Sequence, residues 1–175
     1  GSWGEYVEPT KYTLTIKEGD KVLDTETYLA DKEIYPGLFE KEGFRLEGYY
    51  TDSALTVPFV KGTKITADTT IYAKYIESAD YTIYFKNTLS WTNIHVHIWS
   101  ENSTSGTEWP GLAMTAIDGT DFFYFDIDAE KSYDSIVVNN NNNKIQTENI
   151  DIKNANDGDV IVLGEMTKDG GTTET

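Results

Sequence analysis

The stretch Ile94-His95-Val96-His97-Ile98-Trp99, with Trp109-Pro110-Gly111 ten residues beyond it, decides how the chain is read. Its residues alternate strictly, and successive side chains of a strand point to opposite faces. Ile94, Val96 and Ile98 therefore share one face and His95, His97 and Trp99 the other. Three β-branched apolar residues mark a core face. Two imidazoles and an indole on the opposite face mark an aromatic surface turned away from that core, either covered by another element or open to a ligand. Pro110 fixes its own φ and disfavours the α region for Trp109, so the second indole is held at a set angle at low entropic cost.

Composition narrows what such a surface meets. The chain has 175 residues, enough for one ordinary domain or two small ones. Twelve Tyr, seven Phe and four Trp argue against global disorder. A net charge of −16 repels nucleic-acid backbones and anionic membranes but not a neutral partner, which favours sugars, peptides or small neutral ligands. No cysteine is present, which excludes a disulfide scaffold, a Cys nucleophile and a thiolate metal site. No apolar run approaches the ~20 residues of a membrane helix. Gly1-Ser2 reads as a remnant of expression on an excised fragment without a visible signal peptide. Lys168 to Thr175 reads as a linker to a further domain.

The flanking sequence reads as β throughout. Tyr12, Leu14 and Ile16 alternate with polar residues, and Glu18-Gly19-Asp20 turns the chain into a second strand from Lys21. Pro36-Gly37 breaks the pattern, with room for a short helix within 29–42. Ile71, Ala73 and Tyr75 share a strand face, and Ile76 to Asp80 is the expected junction between two modules. Beyond it, Tyr81 to Phe85 is a strand. Asp118-Gly119 is a hairpin turn. Phe123, Phe125 and Ile127 line one face of an aromatic strand, and Ile136-Val137-Val138 is a short buried one. Asn139 to Asn143, a run of five asparagines, reads as too polar to bury. If the next segment is extended, Lys144, Gln146 and Glu148 share a face. Asp159 to Leu163 is a further strand. Short strands separated by turns, without helical periodicity, predict a β-sandwich.

Two resemblances sharpen this. GFRLEGYYTDSALTVPF at 43–59, followed by ITADTTIYAKY at 65–75, is similar to the small repeats of bacterial surface proteins known as Listeria–Bacteroides or internalin B-type repeats. Leu46 replaces the second aromatic of their signature, and Tyr49 and Tyr75 stand where Trp is commoner. The resemblance implies a β-grasp-like spacer or adhesion module without catalytic residues. The second half resembles the starch-binding modules of carbohydrate-binding module family 26. The match runs through Tyr84-Phe85-Lys86-Asn87, Trp91, His97-Ile98-Trp99, Trp109-Pro110-Gly111-Leu112-Ala113-Met114, Val138-Asn139-Asn140 and Gln146-Thr147. His97 stands where that family often has Tyr, and Val138 replaces a Phe expected in the core.

The expected architecture is mainly β: a leader at 1–9, a β-grasp-like module at 10–77, a starch-binding β-sandwich at 80–166 and a linker at 167–175. The expected function is non-catalytic binding of starch and maltooligosaccharides, with a cell-surface adhesin that meets a protein or another glycan as the alternative. Sugars bind through aromatic faces plus a few aimed polar groups. His97, Trp99 and Trp109 supply the faces. Gln146, Asn140, Lys144 and Glu148 supply the polar groups. Trp91 is expected in the core and His95 on the surface.

Other chemistries fit less well. His95 and His97 lack a third histidine or any cysteine for a zinc site. Asn156-Asp157-Gly158 fails the register of a calcium loop, which would put Lys153 and Ala155 at ligand positions one and three. A glycosidase needs two carboxylates across a cleft, which a small sandwich does not offer. No cofactor, metal, nucleic acid or membrane insertion is expected. The protein is expected to act as a monomeric part of a secreted, multimodular bacterial surface protein.

Overall fold

The computed structural model describes residues 4, 7–78, 80–128, 130–141, 145–162 and 172–174, and the described residues contain strands and turns but no helix. The chain divides into two compact units, one built on the first four strands and one on the later strands.

In the first unit, β1 (Lys11–Glu18) and β2 (Lys21–Leu29) form an antiparallel hairpin around Gly19-Asp20. Gly19 sits at φ 57°, the left-handed conformation that a tight hairpin turn requires. β3 (Phe44–Tyr50) and β4 (Thr69–Glu77) complete a mixed sheet of order β2-β1-β4-β3, with β4 parallel to β1. The expected alternation holds: Leu14, Ile16, Ile71 and Ala73 are buried.

The segment 29–42, which left room for a short helix, contains none. Ile34 is buried, and its neighbours pair with the chain at 62–65 as in a sheet. Ile34 N–H donates to Thr63 O at 2.9 Å, and Ile65 N–H donates to Lys32 O at 2.9 Å. Beyond Pro36, two tyrosine hydroxyls hold the backbone: Tyr49 donates to Gly37 O at 2.6 Å and Tyr75 to Phe39 O at 2.5 Å. These phenols anchor a segment that lacks the apolar spacing of a helix.

The second unit is a sandwich of two sheets. One runs β14 (Thr172–Glu174), β11 (Ile145–Thr147), β10 (Ser135–Asn139), β6 (His95–Trp99), β7 (Leu112–Ala113), with β12 (Ile150–Asp151) also on β10. The other runs β13 (Val160–Val162), β5 (Tyr81–Lys86), β9 (Phe122–Ile127), β8 (Thr115–Ala116). Ile94, Val96 and Ile98 face Ile83, Phe85, Phe125 and Ile127 across the core, joined by Ile136, Val138 and Met114. Phe85 and Phe125 stack with centroids 5.7 Å apart. Val138 is fully buried, so the position where the resemblance expects a core Phe is a core position here. Trp91 packs against the same core, its turn closed by Asn87, whose side chain bonds both the N–H and the C=O of Trp91.

All five residues of β10 are buried, including those on the face away from the core. β10 lies inside its sheet, between β6 on one side and β11 and β12 on the other. Its polar terminal residue, Asn139, is therefore buried too. The asparagine run starts inside the sheet, and Asn139 corrects the reading of that run as too polar to bury.

Candidate functional site

The site is built on the outer face of β6. His97 and Trp99, two residues apart, project to the same side, and their rings stack with centroids 4.9 Å apart and planes at 22°. Trp109 meets His97 edge-on, with centroids at 5.6 Å and planes at 67°. The three rings thus form one cluster with faces set at an angle to each other. Trp109 is 39% exposed, while His97 and Trp99 are half-buried.

The loop after β6 brings Trp109 there by doubling back along the strand. Thr107 N–H donates to Ile98 O at 2.8 Å, and Ile98 N–H donates to Thr107 Oγ1 at 3.1 Å. Gly106 lies so close to Trp99 that an added Cβ would sit 2.8 Å from the indole's own Cβ. Glu108 to Gly111 then make a turn closed by Gly111 N–H to Glu108 O at 2.7 Å, with a cis Trp109–Pro110 bond, the type VI arrangement.

Gly111 has φ 97°, and a Cβ there would lie 2.0 Å from Val96 O. No side chain fits between the turn and the strand. The backbone next pairs with β6, Leu112 opposite Val96 and Ala113 opposite His95. Met114 then enters the core, where the chain passes from one sheet to the other. The motif therefore has a division of labour: Trp109 faces out, Pro110 turns, Gly111 allows contact with the strand, and Met114 anchors.

Asn139 is a site-forming residue that the sequence reading missed. It is fully buried, its Nδ2 donates to Pro110 O at 3.0 Å, and its Oδ1 accepts from Asn141 N–H at 2.8 Å. One amide thus ties the Trp-Pro-Gly turn to the start of the asparagine segment. The period of two would have placed it on the same face as Val137 and hence as His95, its cross-strand partner.

The polar candidates are distributed around this core. Gln146 lies directly across from Asn139 on β11, on the aromatic face of the sheet but separated from His95 by β10. Thr147 next to it is buried, and its hydroxyl accepts from Val138 N–H at 3.0 Å. Asn140 is half-buried, its backbone N–H bonds Ile145 O at 3.2 Å, and its Oδ1 is buried without a partner among the described residues. Glu148 is exposed just beyond β11. Lys144 lies outside the described residues. His97, Trp99 and Trp109 are brought into mutual contact; no hydrogen bond joins Asn140 or Glu148 to those rings among the described residues.

Both imidazoles are engaged by neighbours. His95 Nδ1 lies 2.9 Å from Asn93 O, and His97 Nδ1 lies 2.8 Å from Thr107 Oγ1. Burial lowers the pKa of His97, so it is neutral at pH 7. Among the described residues no group of three His, Asp or Glu is arranged to hold a metal ion. A groove of about 440 Å³ elsewhere in the sandwich, lined by Ile83, Ile150, Ile152, Asn154 and Val160 among others, offers no aromatic ring to a ligand.

A neutral, ring-lined, partly open surface beside amide side chains suits a ligand with an apolar C–H face and hydroxyls at its rim. The chain matches no curated protein and no solved structure. Its residues 83–152 match the family model of starch-binding module 26, a span that includes His97, Trp99, Trp109, Asn139 and Gln146.

Proposed function

We propose that the second module binds α-1,4-linked glucan, as starch or maltooligosaccharide, without catalysis. The observation that carries this is the angled cluster of His97, Trp99 and Trp109 inside the segment that matches the starch-binding family. A helical glucan presents successive glucose rings at an angle, and the ring planes of His97 and Trp109, 67° apart, offer faces at an angle to receive them. Gln146, Asn140, Lys144 and Glu148 are the polar groups assigned to its hydroxyls. Each stacked ring covers about 100 Å² of apolar surface, worth ~2.5 kcal/mol at 25 cal/mol per Å². Association costs remove much of that, so a single site binds in roughly the micromolar to millimolar range. Such weak sites gain from tethering to others.

The first module is assigned as a β-grasp-like spacer. Its mixed sheet of order β2-β1-β4-β3 with parallel β1 and β4 supports that reading. Together the two modules are read as a monomeric part of a secreted, multimodular bacterial surface protein. The test is native electrophoresis in gels with and without amylopectin. Retardation that maltoheptaose relieves is the expected result. Free migration at high amylopectin would refute the glucan reading and favour a protein or another glycan as ligand.

A further inference from the structure

We infer that Thr107 fixes His97 in its Nε2–H tautomer and that this N–H is a hydrogen-bond donor to a hydroxyl oxygen of the glucan. This deepens the proposed function and rests on it.

The hydrogens around one oxygen, Thr107 Oγ1, set the tautomer. Thr107 Oγ1 accepts from Ile98 N–H at 3.1 Å, which uses one of its lone pairs and orients the hydroxyl. Its own proton has two directions open. Toward His97 Nδ1 the distance is 2.8 Å; toward Ile98 O it is 3.5 Å, the limit of a hydrogen bond. Ile98 O already accepts the shorter bond from Thr107 N–H. The hydroxyl proton goes to Nδ1, the near acceptor, because the alternative, Nδ1–H donating to the second lone pair of Oγ1, leaves that hydroxyl with only the 3.5 Å contact. An acceptor Nδ1 in a neutral ring leaves the proton on Nε2. Burial disfavours the charged ring in which both nitrogens would donate.

Nε2 pairs with no described residue, and the ring that carries it is fixed by Trp99 on its face and Trp109 at its edge. A donor with no partner among the described residues, held between two indoles, is placed for an uncharged acceptor that arrives with a sugar ring. Thr107 is then a positioning residue: it acts on the ligand through His97. An aromatic Tyr or Phe at position 97 would supply stacking without this aimed N–H.

Long-range ¹H–¹⁵N correlation on protein labelled at its two histidines tests the tautomer without ligand. Wild type is expected to show a bare Nδ1 and a protonated Nε2 at His97. Thr107→Val is expected to give a mixture of tautomers and to weaken maltoheptaose binding by about two- to tenfold, the range of one neutral hydrogen bond. Thr107→Ser keeps the hydroxyl and is expected to restore both. A protonated Nδ1 in wild type would overturn the inference. So would a folded Thr107→Val protein that binds as wild type does, or a Ser variant no better than Val. If Thr107→Val does not fold, the wild-type tautomer and the Ser variant decide. Wild type that fails to bind maltoheptaose would refute the glucan reading, a result separate from the tautomer.

Discussion

Gly111→Ala reaches the candidate site without touching any side chain in it. The new methyl would stand 2.0 Å from Val96 O and 2.7 Å from the Cα of His97, both backbone atoms of a strand inside a sheet. Neither can retreat, so the turn must lift off β6. A non-glycine residue at φ 97° adds about 1–3 kcal/mol of backbone strain if the conformation is kept. If the turn withdraws instead, the bond from Asn139 to Pro110 O is lost and the Asn139 amino group is left buried and unpaired, at about 1–3 kcal/mol. With the Gly111–Glu108 bond also disturbed, withdrawal costs about 1.5–4.5 kcal/mol in total, which lowers the melting temperature by roughly 6 °C or more for a domain of this size. Trp109 moves with the turn, so glucan binding should fall about as far as on its removal. Thermal unfolding followed by near-UV circular dichroism, with maltoheptaose titration of the folded protein, reads both effects. A variant that melts within a degree or so of wild type and binds equally well would refute the close-approach reasoning.

Two further predictions concern groups that hold the rings. Asn139→Ala removes both bonds of a fully buried amide and should cost about 1–3 kcal/mol in urea unfolding, with weaker glucan binding because the Trp-Pro-Gly turn loses its tie; a loss under ~0.5 kcal/mol would contradict that role. His97 makes stability depend on pH in one direction. Burial depresses its folded pKa, while the unfolded ring takes its proton near pH 6.5, so the unfolded state binds more protons below that point. Its contribution is complete above about pH 6.5 and is lost as the pH falls through the lower folded value. Melting curves of wild type and His97→Gln between pH 7.5 and pH 5 should therefore converge toward low pH. Parallel curves would show that His97 is not the titrating group.

Much of this was legible in the residues, and what was not has identifiable causes. The alternation of 94–99 placed the core face and the aromatic face of β6 correctly, because a period of two is a local property of the chain. The hairpin at Gly19 and the strands around Phe85, Phe125 and Val138 were readable for the same reason. Thr107 and Asn139 were not. Thr107 sits in a polar loop whose return along β6 is a tertiary event, and only that return brings its hydroxyl to His97. Asn139 opens a run whose composition reads as a turn, yet pairing on both sides of β10 draws it into the sheet. The short helix for which 29–42 left room does not form, because backbone pairing at 62–65 and two tyrosine hydroxyls, all distant in sequence, take up that segment's polar groups.

Removal of Trp109 tests the central claim most directly. At 39% exposure, about 100 Å² of an indole of roughly 250 Å² is open to a ligand, and covering it is worth ~2.5 kcal/mol at most. At about 1.4 kcal/mol per tenfold, that ceiling corresponds to a weakening of up to about 70-fold on removal of the ring. Wild type and Trp109→Ala are run side by side in native gels containing amylopectin, with folding of the variant checked by circular dichroism. Retarded wild type beside a folded variant that migrates nearly freely is the predicted result. A folded Trp109→Ala protein retarded as strongly as wild type would contradict the assignment of the ring cluster as the glucan site.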